Sequence, residues 1–184
     1  QLTIDSLREK YSNLLKEKDS KNFKDNLKII NNQIKQIGNL VNEFSDFARM
    51  PRPTLRENNL VILLKENVKL LKELDSSIKI DLLCNTEKII LNSDKEQINR
   101  VFLNLIKNSI ESIQQKAENE SNFSKKITIE LTENDSHIKL IIVDNGIGFR
   151  NLNTNIKEIL NPYFTTKKNG TGLGLSIVNK IIND

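Results

Sequence analysis

Two asparagines, Asn104 and Asn108, have the residue type and the spacing that could bind a metal ion. They lie in a stretch whose hydrophobic period predicts a helix, and residues four apart share one face of a helix. Two carboxamide oxygens on one face can hold Mg²⁺ while the ion keeps several waters and takes phosphate oxygens. Taken alone, the pair fits ordinary exposed asparagine in an asparagine-rich protein better than it fits a metal site.

A second candidate is the turn Asp144-Asn145-Gly146-Ile147-Gly148. It follows the apolar run Leu140–Val143, which predicts a strand in the centre of a sheet. A carboxylate at the mouth of such a strand can accept a charge-assisted hydrogen bond from an adenine amino group. Gly146 and Gly148 permit positive φ and a close approach of the backbone to a flat base. An ordinary Asp-Asn-Gly turn explains the same residues equally well.

A third candidate, Gly170-Thr171-Gly172-Leu173-Gly174-Leu175, opens a helix predicted over Gly174–Ile182. Glycines expose backbone N–H groups and a helix N-terminus favours negative charge, so this loop suits phosphate. No Lys-Ser/Thr pair follows it, as a P-loop requires, and no strand precedes it, as a Rossmann turn requires. Because a long polar segment comes before it, we expect a mobile lid over a nucleotide, with Lys167 and Lys168 near the phosphates.

The aromatic pair Tyr163 and Phe164 lies inside this predicted lid, within the segment Pro162–Lys167. Aromatic side chains in a polar loop need an apolar contact. Two explanations are equally consistent with the sequence. The pair docks into the domain when nucleotide binds, or it anchors the loop permanently.

The N-terminal part carries a regular apolar stripe that predicts helices packed against other helices. A first stretch spans Ile4–Leu14, and a polar break at Lys18–Asn22 separates it from a second, with Asp19 or Ser20 as the cap. Two such helices form an antiparallel hairpin, and pairing with a second copy into a four-helix bundle would bury both stripes. The alternative is that the hairpin packs on its own C-terminal domain. The second stripe consists of Phe23, Leu27, Ile30, Ile34, Ile37, Val41, Phe44 and Ala48.

Two prolines in Met50-Pro51-Arg52-Pro53 cannot continue a helix, so we place a domain boundary between residues 1–53 and 54–184. The second part alternates between helical and strand patterns, which predicts an α+β fold with a mixed sheet covered on one face by helices. A turn is expected at Asn134-Asp135-Ser136, and Ser93 or Asp94 is expected to cap a helix. The predicted helices cover Leu60–Leu74, Asp94–Gln115 and Gly174–Ile182, and the predicted strands cover Ile78–Cys84, Lys88–Leu91, Lys126–Glu133 and His137–Asp144.

The bulk composition excludes several classes of protein. Hydrophobic residues make up 37% and charged residues 28% of the chain, which suits a soluble protein with a modest core. No run of residues is long enough to span a membrane, and the single cysteine, Cys84, argues against a disulfide scaffold. The net charge of +4 forms no basic patch with interleaved aromatics, so nucleic acid is not an expected partner.

In their order and context, these pieces resemble the N, G1, F and G2 boxes of bacterial sensor histidine kinases. The four boxes correspond to Asn104-x-x-x-Asn108, Asp144–Gly148, Pro162–Lys167 and Gly170–Leu175. These kinases share an ATPase superfamily with gyrase, the Hsp90 chaperones and MutL. The hairpin, with its exit Phe44–Pro51, resembles the dimerisation and phosphotransfer domain of the nitrogen-regulation type of sensor. Each box alone is a weak signal, whereas four in order are strong.

The resemblance implies that Asn108 chelates Mg²⁺ with Asn104 in support, and that Asp144 recognises adenine. It implies ATP and Mg²⁺ as cofactors, and transfer of the γ-phosphoryl group to a histidine nitrogen and then to an aspartate of a response regulator. It also implies a homodimer formed through the hairpin, in the cytoplasmic portion of an inner-membrane sensor. The nucleotide-binding set would be Asn104, Lys107, Asn108, Asp144, Gly146, Gly148, Thr165, Thr166, Lys167, Gly170, Thr171, Gly172, Leu173, Gly174 and Leu175.

One departure separates phosphotransfer from hydrolysis. The hydrolytic members of the superfamily place a glutamate one helical turn before the metal-binding asparagine, where it activates water. This sequence has Asn104 there, and an amide cannot act as a general base. Glu111 lies one turn beyond Asn108 and is not expected to substitute.

The acceptor histidine is not expected within this chain. The single histidine, His137, starts an apolar strand and is expected to be structural. In the family that the sequence resembles, the acceptor lies on the first hairpin helix, about three helical turns before Gln1. The chain is therefore expected to be truncated at both ends, to bind Mg-ATP, and not to phosphorylate itself. The alternatives are an ATP-hydrolysing or serine-kinase relative, or a non-catalytic dimerisation scaffold.

Overall fold

The structure, a computed structural model, describes residues 6–7, 11, 17–120, 122–135, 137–149, 155–167 and 170–183. The chain divides into two compact units. The first contains residues 1–50 and 166–171, and the second contains residues 51–165 and 172–184. None of the described helices combines the length and the apolar character needed to cross a lipid bilayer.

The first unit is dominated by helix α1, Glu17–Ala48, which is 32 residues long. It runs without interruption through Lys18–Asn22, so the predicted break and the predicted cap at Asp19 or Ser20 are wrong. These residues are polar, but none of them is glycine or proline, and solvated polar side chains cost an exposed helix little. The first hairpin helix and its connection to α1 fall largely outside the described residues, although residues 6, 7 and 11 are helical.

The apolar stripe of α1 is only partly covered. Leu27 is buried. Five members of the stripe stay between 44% and 62% exposed: Ile30, Ile34, Ile37, Val41 and Phe44. A continuous apolar stripe of this length on a helix surface is typical of a protein-protein contact.

The second unit has α+β architecture, as predicted. Helix α2 has the predicted bounds, and Asn59 caps it by accepting a hydrogen bond from the backbone N–H of Val61 at 3.1 Å. Asp94 caps α3, as one of the two expected residues. The elements in chain order are β1 Arg56–Asn59, α2 Leu60–Leu74, β2 Lys79–Cys84, β3 Ile90–Ser93, α3 Lys95–Ala117, β4 Lys126–Glu133, β5 Ile138–Asp144, α4 Ile156–Ile159 and α5 Gly174–Asn183.

The main sheet is mixed, which confirms that prediction. Its strand order is β2-β4-β5, with β2 parallel and β5 antiparallel to β4. Strand β5 was expected in the centre of the sheet, but among the described strands it lies at the edge. Its apolar run reflects side chains on both faces of the sheet. Such a pattern does not determine how many strands pair with the backbone.

A separate two-stranded sheet, β1 with β3, was not predicted. Strand β1 is Arg-Glu-Asn-Asn, a polar sequence without strand propensity. It is held instead by antiparallel pairing with β3 and by Asn58, whose Nδ2 donates to the carbonyl oxygen of Ser93 at 2.8 Å. The pairing extends β3 to Ser93, two residues beyond the predicted end.

The segment before β1 is tied to the first turn of α3. The backbone N–H of Thr54 donates to Asp94 Oδ2 at 2.7 Å, and Gln97 Nε2 donates to the carbonyl oxygen of Pro51 at 3.1 Å. The other carboxylate oxygen, Asp94 Oδ1, accepts from the backbone N–H groups of Glu96 and Gln97. The hydrogen bonds from the Thr54 and Gln97 backbone N–H groups hold the pKa of Asp94 below its usual value.

The core of the second unit lies between the main sheet and helices α2 and α3. Helix α3 contributes Phe102, Ile106 and Ile113, each at most 1% exposed. Strand β4 contributes Ile127, Ile129 and Leu131. Because one face of α3 is fixed against the sheet, the side chains on another face are held in a defined direction.

Candidate nucleotide-binding site

One face of α3 carries three half-buried polar side chains at successive turns: Asn104, Asn108 and Ser112. This face lies away from the one that buries Phe102 and Ile106. Eight residues of helix rise about 12 Å, so the two ends of this polar row are well separated. The row forms the floor of the candidate site.

Asn104 and Asn108 lie against the start of α5. Asn104 Nδ2 donates to the carbonyl oxygen of Arg100 at 2.9 Å, and its Oδ1 faces the start of α5. A methyl group added at Gly174 would lie 3.2 Å from Asn104 Oδ1 and 4.0 Å from Asn108 Nδ2. Glycine at this position therefore lets the helix end whose N–H groups favour anions lie close to the two amides.

The glycine loop before α5 contacts the predicted aromatic segment. Gly172 has a φ of +71°, and a Cβ there would lie 2.4 Å from the carbonyl carbon of Tyr163. The backbone N–H of Tyr163 donates to the carbonyl oxygen of Gly172 at 3.0 Å. Tyr163 itself has a φ of 68°, and its side chain is exposed. Leu173 is fully buried and fixes the loop at the helix start.

At the other end of the row, Asp144 lies against α3. Asp144 Oδ1 accepts from the backbone N–H of Gly146 at 2.9 Å and from the Ser112 hydroxyl at 3.3 Å. The backbone N–H of Ile147 donates to the carbonyl oxygen of Ser112 at 3.3 Å. A Cβ at Gly146 would lie 2.2 Å from Ser112 Oγ, so glycine is required for this close approach.

Asn145, in the same turn, has a side chain that is hydrogen-bonded to backbone groups at the start of β4. Its Oδ1 accepts from the backbone N–H of Lys126 at 2.9 Å, and its Nδ2 donates to the carbonyl oxygen of Ser124 at 2.7 Å. Lys116 Nζ donates to the carbonyl oxygen of Asn145 at 3.2 Å and lies 4.5 Å from the ring centroid of Phe123. These contacts anchor the turn to the start of β4 and so hold Asp144 in place.

The structure groups the predicted site residues unevenly. Within the second unit, Asn104, Asn108 and Gly174 lie together at one end of the row, and Asp144 and Gly146 lie at the other. The other predicted members of this unit have the following positions: Lys107 is exposed on α3, Gly148 has a φ of +64° in the Asp144 turn, Thr165 is exposed, and Leu175 is half-buried in α5.

Four predicted residues, Thr166, Lys167, Gly170 and Thr171, belong to the first unit. There the Thr171 hydroxyl donates to the carboxylate of Glu43 on α1. The backbone N–H of Gly170 donates to the carbonyl oxygen of Lys167 at 3.2 Å. Lys168 lies outside the described residues.

His137 belongs to the turn between β4 and β5. Its backbone N–H donates to Asn134 Oδ1 at 2.9 Å, and its carbonyl oxygen accepts from the backbone N–H of Asn134 at 3.1 Å. The ring Nε2 lies 3.2 Å from Asn134 Nδ2. These are the contacts of a residue that closes a turn.

A cavity of about 470 Å³ lies elsewhere in the second unit. Its lining is mostly apolar and comes from α2, β3, α3, β4, β5 and the end of α5. Asn104, Asn108 and Asp144 are absent from this lining. The cavity is therefore not part of the candidate site.

Ser112 is the site residue that the sequence analysis missed. Its position continues the four-residue spacing of Asn104 and Asn108, which was the available signal. The spacing does not reveal that the Ser112 hydroxyl is hydrogen-bonded to Asp144, because Asp144 lies 32 residues away along the chain.

Comparison with known proteins gives a consistent result. The family described as histidine kinase-, DNA gyrase B- and HSP90-like ATPases matches residues 93–184. A sensor histidine kinase NtrY-like protein of Rickettsia felis is 35% identical over 183 residues, which is 100% of this chain and 29% of that protein. The nitrogen regulation protein NtrY of Azorhizobium caulinodans is 29% identical over 152 residues, 83% of this chain and 19% of its own. The chain thus spans less than a third of these relatives.

Two solved structures extend the comparison. The catalytic domain of histidine kinase ThkA is 29% identical, with a TM-score of 0.56 over 71% of this chain and 80% of that chain. ThkA in complex with the response regulator protein TrrA gives a TM-score of 0.67 at 22% identity, over 99% of this chain and 50% of that chain, and so shows the fold alone. With the family match over half of its length, the chain belongs to the histidine kinase-, DNA gyrase B- and HSP90-like ATPases.

Proposed function

We propose that this chain is the ATP-binding catalytic part of a sensor histidine kinase, with residues 54–184 as the ATP-binding domain. Residues 1–53 would be part of the helical domain for dimerisation and phosphotransfer. The observation that carries the proposal is the polar row of α3, with the Asp144 carboxylate at one end and the Asn104 and Asn108 amides at the other. Eight residues of helix separate these two ends by about 12 Å, so base recognition and phosphate binding can take place at different ends of one row.

Asp144 is proposed to recognise the base. A carboxylate accepts hydrogen bonds only, so it favours the amino group of adenine over the carbonyl oxygen of guanine at the same position. Its attachment at the end of β5, with Asn145 anchored to β4, fixes the acceptor before the base arrives. A fixed acceptor lowers the ordering cost of binding.

Mg²⁺ fits the residues at the other end. Asn104 Oδ1 is an amide oxygen that faces the start of α5, where Gly174 places no side chain beside it. Among the described residues, no group of three or more His, Cys, Asp or Glu forms a metal cage. In this proposal Asn108 and Asn104 would hold the ion jointly with phosphate oxygens. When bound, Mg²⁺ neutralises phosphate charge.

Phosphotransfer is favoured over hydrolysis because an amide, Asn104, stands one turn before Asn108. An amide has no basic group that could activate water. The proposed reaction moves the γ-phosphoryl group of ATP to a histidine nitrogen and then to an aspartate of a response regulator. His137 is not the proposed acceptor because its contacts are those of a turn.

The proposed partners are a second copy of the chain and a response-regulator receiver domain. The exposed stripe of α1, including Ile34, Ile37 and Val41, supports dimerisation through helix packing. ThkA, which has a similar fold, was solved in complex with the response regulator protein TrrA. This complex supports a receiver domain as a partner of the present chain. Because the curated relatives are longer, we place the chain in the cytoplasmic portion of a sensor anchored in the inner membrane by other segments.

Titration of the 184-residue chain with ATP, with and without Mg²⁺, tests the nucleotide site. We expect Mg²⁺-dependent binding and a rise in melting temperature. Asp144→Asn should weaken ATP binding about tenfold or more, because an amide offers no anionic acceptor. The matched control is Asp135→Asn, an exposed aspartate in the β4–β5 turn, which should bind ATP like the wild type. A wild-type melting temperature unchanged by ATP would refute the proposal and favour a non-catalytic scaffold.

Incubation of the chain with ATP distinguishes the reaction classes. We expect no acid-labile phosphate on the chain, and recovery of that phosphate once a histidine-bearing helix segment is supplied upstream. Steady release of phosphate by the chain alone would point to an ATP-hydrolysing relative. Acid-stable phosphate on serine would point to a serine kinase.

A further inference from the structure

We propose that Ser112 is a positioning residue for base recognition, whose hydroxyl orients the Asp144 carboxylate toward a 6-aminopurine. This inference rests on the proposed nucleotide site and adds a residue to it. Ser112 does not itself contact the base in this proposal. It acts through Asp144, the residue that does.

The hydrogen bonds of Asp144 all fall on one oxygen. Oδ1 accepts from the Gly146 backbone N–H at 2.9 Å and from the Ser112 hydroxyl at 3.3 Å. Among the described residues, none donates a hydrogen bond to Oδ2. The carboxylate is therefore held by one oxygen and keeps the other as an acceptor for a ligand.

The two donors to Oδ1 come from different elements. Gly146 belongs to the same turn as Asp144, so its N–H moves with the turn. Ser112 belongs to α3, whose opposite side is locked in the core through Ile113, which is fully buried. The Ser112 hydroxyl is thus the contact that sets the carboxylate relative to the helix that carries Asn104 and Asn108.

Ser112 also fixes the distance between the turn and the helix through its backbone. Its carbonyl oxygen accepts from the Ile147 N–H at 3.3 Å, and its atoms leave no room for a Cβ at Gly146. Replacing the hydroxyl by hydrogen leaves these backbone contacts in place. Ser112→Ala therefore removes the link to the carboxylate and preserves the position of the turn.

The consequence is specific to one ligand group. Without the hydroxyl, the carboxylate loses one of two constraints and samples orientations in which Oδ2 points away from the amino group of the base. The Ser112 hydrogen bond is long, at 3.3 Å, and reaches the ligand only through Asp144, so we expect ATP affinity to fall about fivefold, less than for the loss of a direct hydrogen bond to a charged group. A purine without the amino group cannot donate this hydrogen bond, so its affinity should not depend on the orientation of the Asp144 carboxylate.

The experiment is a calorimetric titration with two ligands and five proteins, one of them a control. The ligands are ATP and purine riboside triphosphate, which carries hydrogen in place of the 6-amino group. The proteins are the wild-type 184-residue chain, Ser112→Ala, Asp144→Asn and the double variant. Ser109→Ala is the matched control, because Ser109 is buried on the same helix and is not among the described hydrogen-bond donors to Asp144.

We expect Ser112→Ala to weaken ATP binding about fivefold, to leave purine riboside triphosphate within about twofold, and to have no further effect in the Asp144→Asn background. Ser109→Ala should change the two affinities equally or not at all. Unchanged ATP affinity in Ser112→Ala, or an equal loss for both ligands, overturns the proposal. If the wild type binds ATP and Asp144→Asn impairs it, such a result refutes the role of Ser112 alone. If the wild type binds neither ligand, the nucleotide site and the role of Ser112 both fail.

Discussion

Replacing Gly146 by alanine is the most direct test of how closely the Asp144 turn packs on α3. The added Cβ would lie 2.2 Å from Ser112 Oγ, 2.5 Å from the Ser112 carbonyl carbon and 2.7 Å from the Ile113 backbone nitrogen. Non-bonded carbon atoms rest about 3.5 to 4.0 Å apart, so the turn must retreat by about 1 Å. Two of the three opposing atoms are backbone atoms of a helix packed into the core, so they cannot give way.

The cost follows from that retreat. Overpacking a well-packed contact costs about 1 to 3 kcal/mol. The retreat also weakens the hydrogen bonds from Ile147 to Ser112 and from Ser112 to Asp144, both already 3.3 Å long, at about 1 kcal/mol each. We therefore expect Gly146→Ala to lower the free energy of unfolding by about 3 to 5 kcal/mol, and to weaken ATP binding about tenfold as Asp144 moves.

Urea denaturation followed by far-ultraviolet circular dichroism measures the first quantity, and calorimetric titration with ATP measures the second. Two other glycines are matched controls. Gly148→Ala adds a Cβ in open space at a φ of +64°, so it should cost only the backbone strain of about 1 kcal/mol. Gly38→Ala, exposed within α1 with nothing within 4 Å, should stabilise that helix by about 1 kcal/mol. If Gly146→Ala is no more destabilising than Gly148→Ala and binds ATP normally, the packing argument is wrong.

Two further predictions concern the core and the cap of α3. Phe102 is fully buried, so Phe102→Ala should lower the free energy of unfolding by about 3 to 5 kcal/mol in urea titrations. The neighbouring Leu103 is 46% exposed, so Leu103→Ala should lower it by only about 0.5 kcal/mol. Comparable losses in the two variants would contradict the placement of the core. Asp94→Ala should cost about 1 kcal/mol at neutral pH. Hydrogen bonds lower the pKa of Asp94 in the folded protein below the unfolded-state value of 3.8. The stabilisation by Asp94 is therefore fully present above pH 3.8 and is lost as the pH falls through the folded-state pKa. The wild type and Asp94→Ala should therefore approach each other in stability in acid, and a constant difference at every pH would refute the assignment.

Helix α2 and strand β4 could be predicted to the residue from the sequence. In α2 the apolar spacing and the Asn59 cap coincide with the end of β1, so local signals agree with the fold. Strand β4 alternates from Ile127 to Leu131 between buried and partly exposed side chains, which is the pattern of a strand with one buried face. The cap of α3 at Asp94 follows from the same local chemistry.

What could not be predicted depends on contacts between distant segments. Strand β1 consists of polar residues and exists because β3 pairs with it. The expected break in α1 failed for the opposite reason, since polar residues such as Lys18 and Asn22 are neutral in an exposed helix and stop nothing. The sequence pattern therefore indicated neither the strand β1 nor the continuity of α1.

In the candidate site, too, local sequence patterns indicated individual residues but not the contacts between distant segments. The residue types and their order predicted Asn104, Asn108 and Asp144, and the structure places the two amides in the polar row of α3 and Asp144 against Ser112 at its end. The pairing of Ser112 with Asp144 requires the rotation of α3 about its axis against β5. That rotation is set by how Phe102, Ile106 and Ile113 fill the core, which no short-range pattern encodes.

The attachment of Thr54 and Pro51 to the first turn of α3 has a mechanical consequence. Thr54 is hydrogen-bonded to Asp94, and Pro51 is hydrogen-bonded to Gln97. The chain that enters the second unit is therefore bonded to the N-terminal turn of the helix that carries the polar row. A helix transmits displacement along its axis with little compliance. A displacement of the chain at Pro51 or Thr54 would therefore act directly on the helix that carries Asn104 and Asn108.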